Sequence, residues 1–167
     1  MGQANQKIIA DRYRVFARTL CFVTHGDEVL LLRGAADKKI WPNQYNGVGG
    51  HVQADEDVQA AALREIREET GLTVHQLRLR GVINIPVDKP DTGIMVFIFT
   101  ARAARRSIRG SAEGQPEWIS RDQILDVDLV EDLPILLPKI LSMGWDDGPF
   151  FALYSYDEED QLRISFA

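Results

Sequence analysis

The chain has one cysteine, three histidines and no long apolar run, and each scarcity removes a class of protein. A single thiol, Cys21, cannot close an intrachain disulfide, so nothing demands an oxidising compartment. Cys21 sits in an apolar run, where a buried, inert thiol is expected rather than a nucleophile. His25, His51 and His75 lack the spacing of metal ligands. No segment approaches membrane-spanning length, and the N-terminal MGQANQKIIADRYR has no apolar leader core. It opens Met-Gly, but Gln6 stands where a myristoylation signal needs Ser or Thr. A cytoplasmic protein, away from the membrane, is the expectation. A basic excess is missing too. The net charge of −6 argues against nucleic-acid polymers and acidic membranes as partners. It leaves room for a nucleotide, whose phosphates a bound cation can neutralise locally. Without repeats or low-complexity linkers, the 167 residues suit one domain spanning 1–167.

What is present is concentrated between Gly50 and Leu72. The stretch places Gly50, Glu56, Arg64-Glu65-Ile66, Glu68-Glu69 and Gly71-Leu72 at fixed spacing, with five residues between Gly50 and Glu56 and seven between Glu56 and Arg64. Asp57 to Thr70 lacks Gly and Pro, is rich in Ala, Leu, Glu and Arg, and stops at Gly71, which predicts a helix. At about 100° per residue, Glu65, Glu68 and Glu69 fall within roughly a third of its circumference. Ala62, Leu63 and Ile66 occupy another arc and are expected to face a core. Glu56 precedes the helix, where a carboxylate suits the N-terminal dipole. Acids at i, i+3 and i+4 repel one another. Mg²⁺ would reverse that penalty, because it takes oxygen ligands and bridges carboxylates to substrate phosphates.

The complete pattern resembles the signature box of the Nudix hydrolases, which cleave a nucleoside diphosphate linked to another group. That resemblance implies an α/β fold, an α/β/α sandwich with a mixed β-sheet, and a loop-helix-loop that holds divalent cations. Mg²⁺ is the usual one, with Mn²⁺ as the alternative. It makes Glu65, Glu68 and Glu69 metal-binding or catalytic carboxylates and gives Arg64 the task of orienting them. Glu56 becomes a supporting partner, and the Gly49 carbonyl a further metal ligand. A second resemblance is to MutT-type members, in which an EGQP run precedes a Glu-Trp pair, as in Glu113-Gly-Gln-Pro-Glu-Trp118. It makes Glu113 a metal ligand or general base entering from a loop; on the bare residues, Gly-Gln-Pro is a turn and Glu113 a solvated acid. Trp118 is expected in the core or pocket wall rather than in chemistry.

The remaining elements alternate. Val15 to Thr24 and Glu28 to Arg33 read as strands around a turn at His25-Gly26-Asp27. Ala35 to Tyr45 is a polar loop, and Asn46 to Val52 a short strand or extended segment whose glycines admit a close backbone or ligand. Leu77 to Val87 and Gly93 to Arg102 are strands, 103 to 116 a loop, and Trp118 to Ser120 a short strand. Arg121 to Leu125 reads as a helical turn and Leu133 to Met143 as a helix. Phe150 to Tyr156 and Gln161 to Phe166 read as a terminal hairpin.

Substrate signals are sparser. Asp132, before Leu133-Pro134, lies roughly where relatives place a residue that reads a purine, and His51 within the box is a candidate phosphate contact. Arg102, Arg105, Arg106 and Arg109 make a basic cluster, either a solvated loop or a phosphate contact folded over the pocket. The markers of NADH and dinucleoside polyphosphate hydrolases are absent or fit poorly. The expected function is therefore Mg²⁺-dependent hydrolysis of a nucleoside triphosphate to the monophosphate and pyrophosphate, with 8-oxo-dGTP as a candidate substrate. Another nucleoside diphosphate conjugate (ADP-ribose or a nucleotide sugar) and a catalytically silent nucleotide sensor are the alternatives. The partner is a small-molecule nucleotide, and the protein itself a monomer or homodimer.

Overall fold

The computed structural model describes residues 11–167. The N-terminal stretch read above for a leader or lipidation signal lies, through residue 10, outside them. β-branched and aromatic residues dominate the first strand, β1 (Arg14–His25), and a tight turn at Gly26-Asp27, with Gly26 at φ 59°, returns the chain as β2 (Glu28–Gly34). A brief β3 (Tyr45–Asn46) pairs with β2, and helix α1 spans Val58–Thr70. Two long strands, β4 (Val74–Pro86) and β5 (Thr92–Ala103), follow as an antiparallel hairpin. Then come β6 (Gly114–Ser120), α2 (Leu133–Ser142), β7 (Phe150–Tyr156) and β8 (Leu162–Phe166).

The strands form one mixed sheet in the order β3-β2-β1-β5-β4-β7-β8, with β6 added to β2. β1 runs parallel to β5 from Arg14 opposite Thr92 to Thr24 opposite Arg102, and β4 runs parallel to β7. Alternation along β1 and β2 divides the interior in two. Cys21, Val23 and Leu30 point to the side of Ala62 and Ile66 of α1, whereas Phe22, Val29 and Leu31 join Leu133, Leu136, Leu137 and Ile140 of α2. The sheet is therefore covered by one helix on each face, the expected α/β/α sandwich. Among the described residues no helix is long and apolar enough to cross a membrane.

Three local expectations need correction. The loop placed at 103–116 ends early, because β6 begins at Gly114 and pairs with β2 along its length. Gly-Gln-Pro is thus the start of a strand rather than a turn. Pro116 is tolerated because β6 pairs only with β2, so its outer edge needs no N–H. Strand β4 begins at Val74, three residues before Leu77, and is interrupted by irregularities after His75 and Leu79, with Gln76 at φ 55°. On α1, Leu63 is exposed, while Ala61, Ala62, Ile66, Glu69 and Thr70 are buried. At about 100° per residue the buried residues run from Ala61 through Glu69, Ala62 and Ile66 to Thr70, and Leu63 lies just past Thr70.

Candidate active site

Helix α1 is fixed at both ends. The Asp57 carboxylate caps it, accepting from the Gln59 and Ala60 N–H groups at 2.8 and 2.9 Å. Gly71 closes it at φ 71°, a conformation that favours glycine, and donates its N–H to the Arg67 carbonyl. With the ends fixed, the acids take three different environments. Glu69 is i+3 from the fully buried Ile66 and is itself only 6% exposed. Its Oε2 accepts the Gly49 N–H at 3.1 Å. Glu65 is mostly buried against Gly50, where any Cβ would collide with the Glu65 carboxylate. Glu68 stays in solvent, its side chain 59% exposed.

Arg64 ties this group together from outside. Its guanidinium meets Glu56 through two hydrogen bonds, Nη2 to Oε1 at 2.6 Å and Nε to Oε2 at 3.0 Å. Nη1 reaches Glu65 Oε1 at 2.8 Å and Glu68 Oε2 at 3.1 Å, and Nη2 also donates to the His51 carbonyl. Hydrogen bonding to Glu56 first, then to Glu65 and Glu68, raises the Arg64 pKa, and its guanidinium holds Glu56 below the usual carboxylate range. Arg64 does not touch Glu69. Burial pushes that carboxyl up to about 7, and the charges of Glu65 and Glu113 push the same way.

These groups open onto a cleft of about 1700 Å³. Glu65, Glu68, Glu69, Glu113, Gly49, His51 and Asp132 all line it, so the expected residues do gather. Glu113 precedes β6, and its carboxylate pairs with Lys38 Nζ at 2.7 Å. Glu117, the other acid of that run, faces away and accepts from the Tyr45 hydroxyl at 2.9 Å. Trp118 packs with the α1 core, its indole N–H donating to the Arg106 carbonyl at 2.9 Å. His51 Nε2 accepts from Arg18 Nε at 3.1 Å. Arg106 pairs with Glu28 at 2.7 Å, and the Arg109 side chain lies against Gly71 at the end of α1. Arg102 lies on β5 rather than in the loop, and none of the four arginines lines the large cleft among the described residues.

At its other end the cleft is bounded by Asp132, whose Oδ2 accepts from the Tyr154 hydroxyl at 2.7 Å. Asp132 stands at the cap position of α2 but makes no side-chain cap bond. Burial raises the pKa of both Asp132 and Tyr154. Sequence reasoning missed Tyr154, although the inward alternation Phe150, Ala152, Tyr154 was a signal that its hydroxyl would need a buried partner. It missed Lys38 as well, for which a polar loop gives no signal. Thr19 Oγ1, buried beside this cleft, has no hydrogen-bond partner among the described residues.

The NUDIX domain family matches residues 15–140. The chain is 36% identical over 152 residues to the oxidized purine nucleoside triphosphate hydrolase of Mus musculus, covering 86% of this chain and 96% of that protein. It is 32% identical over 131 residues to the protein of the same name from Danio rerio, covering 76% and 83%. The solved structure of the mutator MutT protein from Bacillus halodurans superposes with a TM-score of 0.76 at 24% identity, covering 91% of this chain and 97% of that one, a likeness of fold. This chain belongs to the Nudix hydrolase family.

Proposed function

We infer that the protein hydrolyses a nucleoside triphosphate to the monophosphate and pyrophosphate, with Mg²⁺ as its cation and an oxidised purine nucleotide such as 8-oxo-dGTP as its substrate. One observation carries this reading: a single cleft joins a carboxylate cluster at one end to the Asp132–Tyr154 pair at the other. The names of the mouse and zebrafish relatives support the same substrate class.

The residues fit a hard divalent cation. The donors are all oxygen, and burial, together with the charges of Glu65 and Glu113, raises the pKa of Glu69 in a way that a cation would relieve. Among the described residues no three acidic or histidine side chains already converge as a cage. The reason is that Arg64 draws Glu65 and Glu68 to one side and Lys38 holds Glu113. Glu65, Glu68, Glu69 and Glu113 would hold the cation, with the Gly49 carbonyl as a further donor. When bound, it supplies positive charge to the phosphate oxygens and lowers the pKa of water.

The chain's own groups do the rest. Arg64, anchored by Glu56, keeps Glu65 and Glu68 on the cleft side of the helix. Glu113, placed by Lys38, is the first candidate to take the proton of the attacking water. His51 contacts a phosphate, and Asp132, held by Tyr154, reads the purine edge. Preorganised charge around the phosphates supplies most of the acceleration, as in phosphoryl transfer generally.

The test is turnover of a panel of nucleoside triphosphates, ADP-ribose and nucleotide sugars with Mg²⁺ or Mn²⁺, products resolved by chromatography. An oxidised purine triphosphate is expected to give the highest kcat/KM, with pyrophosphate released. A higher kcat/KM for a diphosphate conjugate would overturn the substrate, and turnover of none would overturn the activity.

A further inference from the structure

The segment between β2 and β3 has an unusual backbone. Trp41 has φ 55° and Asn43 φ 62°, the left-handed region that a bulky L-residue occupies at a cost. The turn is held by its own main chain. Asn43 N–H donates to the Gly34 carbonyl at 3.1 Å, and Gln44 N–H to the Trp41 carbonyl at 3.4 Å. That carbonyl lies so near Gly34 that a Cβ there would come within 2.7 Å of it. The indole is not what secures the loop, since Trp41 remains 48% exposed. A large aromatic left half in water at a strained position contributes little to packing. Strain of this kind is kept where a site needs the side chain, and Trp41 lines the cleft.

The end of the Trp41 loop is tied to the segment that leads into Asp132. Tyr45 N–H donates to the Asp128 carbonyl at 2.8 Å, and Val130 N–H to the Tyr45 carbonyl at 3.0 Å. The Gln44 amide adds a bond to Asp128 Oδ1 at 3.2 Å. Residues 128–130 are thereby laced to the end of the Trp41 loop, and Glu131 and Asp132 follow directly. The same loop also carries Lys38, which holds Glu113.

We propose that Trp41 is a specificity-determining residue whose indole forms one wall of the nucleobase pocket and stacks on a purine that Asp132 reads at its edge. The proposal rests on the nucleotide reading of the cleft. Stacking suits a flat base and gives no affinity for phosphate alone. The other two tryptophans do not line the cleft: Trp118 packs against His25, and the Arg78 guanidinium lies over the Trp145 ring at 4.1 Å.

The experiment uses products, which are not turned over. The full chain with Mg²⁺ is titrated with 8-oxo-dGMP, dGMP or inorganic pyrophosphate, following tryptophan emission and calorimetric binding. The monophosphates are expected to quench emission saturably and pyrophosphate to leave it unchanged. Trp41→Ala is expected to weaken monophosphate binding roughly 10- to 100-fold while pyrophosphate binding stays within about twofold. Trp41→Phe, which keeps an aromatic face, is expected to restore most of the affinity without the quench. Equal weakening of both probes by Trp41→Ala would make the residue a loop anchor and overturn the proposal. Monophosphate binding unaltered in Trp41→Ala would overturn it as well. Triphosphate turnover without quenching removes the stacking wall and leaves the hydrolase, whereas quenching without turnover removes the hydrolase and leaves the wall.

Discussion

The two ends of the cleft are built in opposite ways. Most of the carboxylate end comes from one helix and the glycine-rich segment before it, so residues close in sequence are close in space, and only Glu113 with its Lys38 partner joins from elsewhere. Glu65, Glu68 and Glu69 differ only in where the helix turns them, yet one is buried, one sits against Gly50 and one is solvated. The base end is assembled from Trp41 in a loop, Asp132 at the start of α2 and Tyr154 on β7, joined only by the sheet and its connections. The first end concentrates charge and would act on any phosphate chain. The second has one half-buried, hydrogen-bonded acid beside aromatic side chains, the means proposed for choosing among bases. Substitutions at the first end should therefore change kcat, and those at the second KM.

The largest expected effect tests the carboxylate end. Glu69→Gln should lower kcat by roughly 10³-fold or more, because it removes a preorganised charge from the site. Folding without metal should survive, since a buried charge disappears and the Gly49 N–H still finds an acceptor. Turnover beside a metal-free thermal melt measures both, and near-wild-type kcat would end the metal-site assignment. Next is the paired test in the β6 segment. Glu113→Gln should lower kcat by roughly 10- to 10⁴-fold with little change in KM. Glu117→Gln, whose acid faces Tyr45 instead, should lower kcat by less than about threefold. A large loss at Glu117 with none at Glu113 would assign the wrong carboxylate to the site.

A smaller effect belongs to the base end. Tyr154→Phe removes the hydroxyl that holds Asp132, leaving a half-buried acid short of one donor. KM for a purine triphosphate should rise about 10-fold with kcat nearly unchanged, and stability should fall by about 1–2 kcal/mol. A variant with lowered kcat and unaltered KM would erase the distinction between the two ends.

That contrast also explains what the sequence made legible. The α1 box could be read because its geometry follows from helical periodicity: fixed spacing puts three acids on one face and glycines at both ends. Turn signals and alternation also anticipated the hairpins, and the family resemblance implied the sandwich. Periodicity erred at Leu63, which falls just beyond the buried arc that ends at Thr70. It erred again at Gly114–Pro116, because propensity marks Gly-Gln-Pro as a turn and cannot see that β2 has a free edge to receive it. Glu113 lines the cleft as expected, but its Lys38 partner, some 75 positions earlier, gave no signal. Tyr154 and Trp41 escaped for the same reason: their roles depend on segments that meet only after the sheet has formed.

The prediction most specific to the carboxylate end is pH dependence without metal. The Glu69 carboxyl in the folded chain has its pKa raised from 4.5 to about 7, mainly by burial. The folded state therefore holds this proton more tightly than the unfolded chain. Its contribution is fully present below about pH 4.5 and is lost progressively as the pH rises to about 7. Moving from 4.5 to about 7 corresponds to a loss on the order of 3 kcal/mol. For a chain of this size, the midpoint of a metal-free melt should drop by roughly 5–10 °C between pH 5 and pH 8. The acids with lowered values, Glu56, Asp91 and Asp157, act with the opposite sign and lose their stabilisation only as the pH falls below the ordinary carboxylate range, so this window separates them. Asp132, also raised by burial, adds a part of the same sign from the base end. Glu69→Gln divides the two contributions. If the carboxylate end dominates, the variant's melting midpoint should be nearly flat across the window; a slope equal to the wild type would move the titration to Asp132.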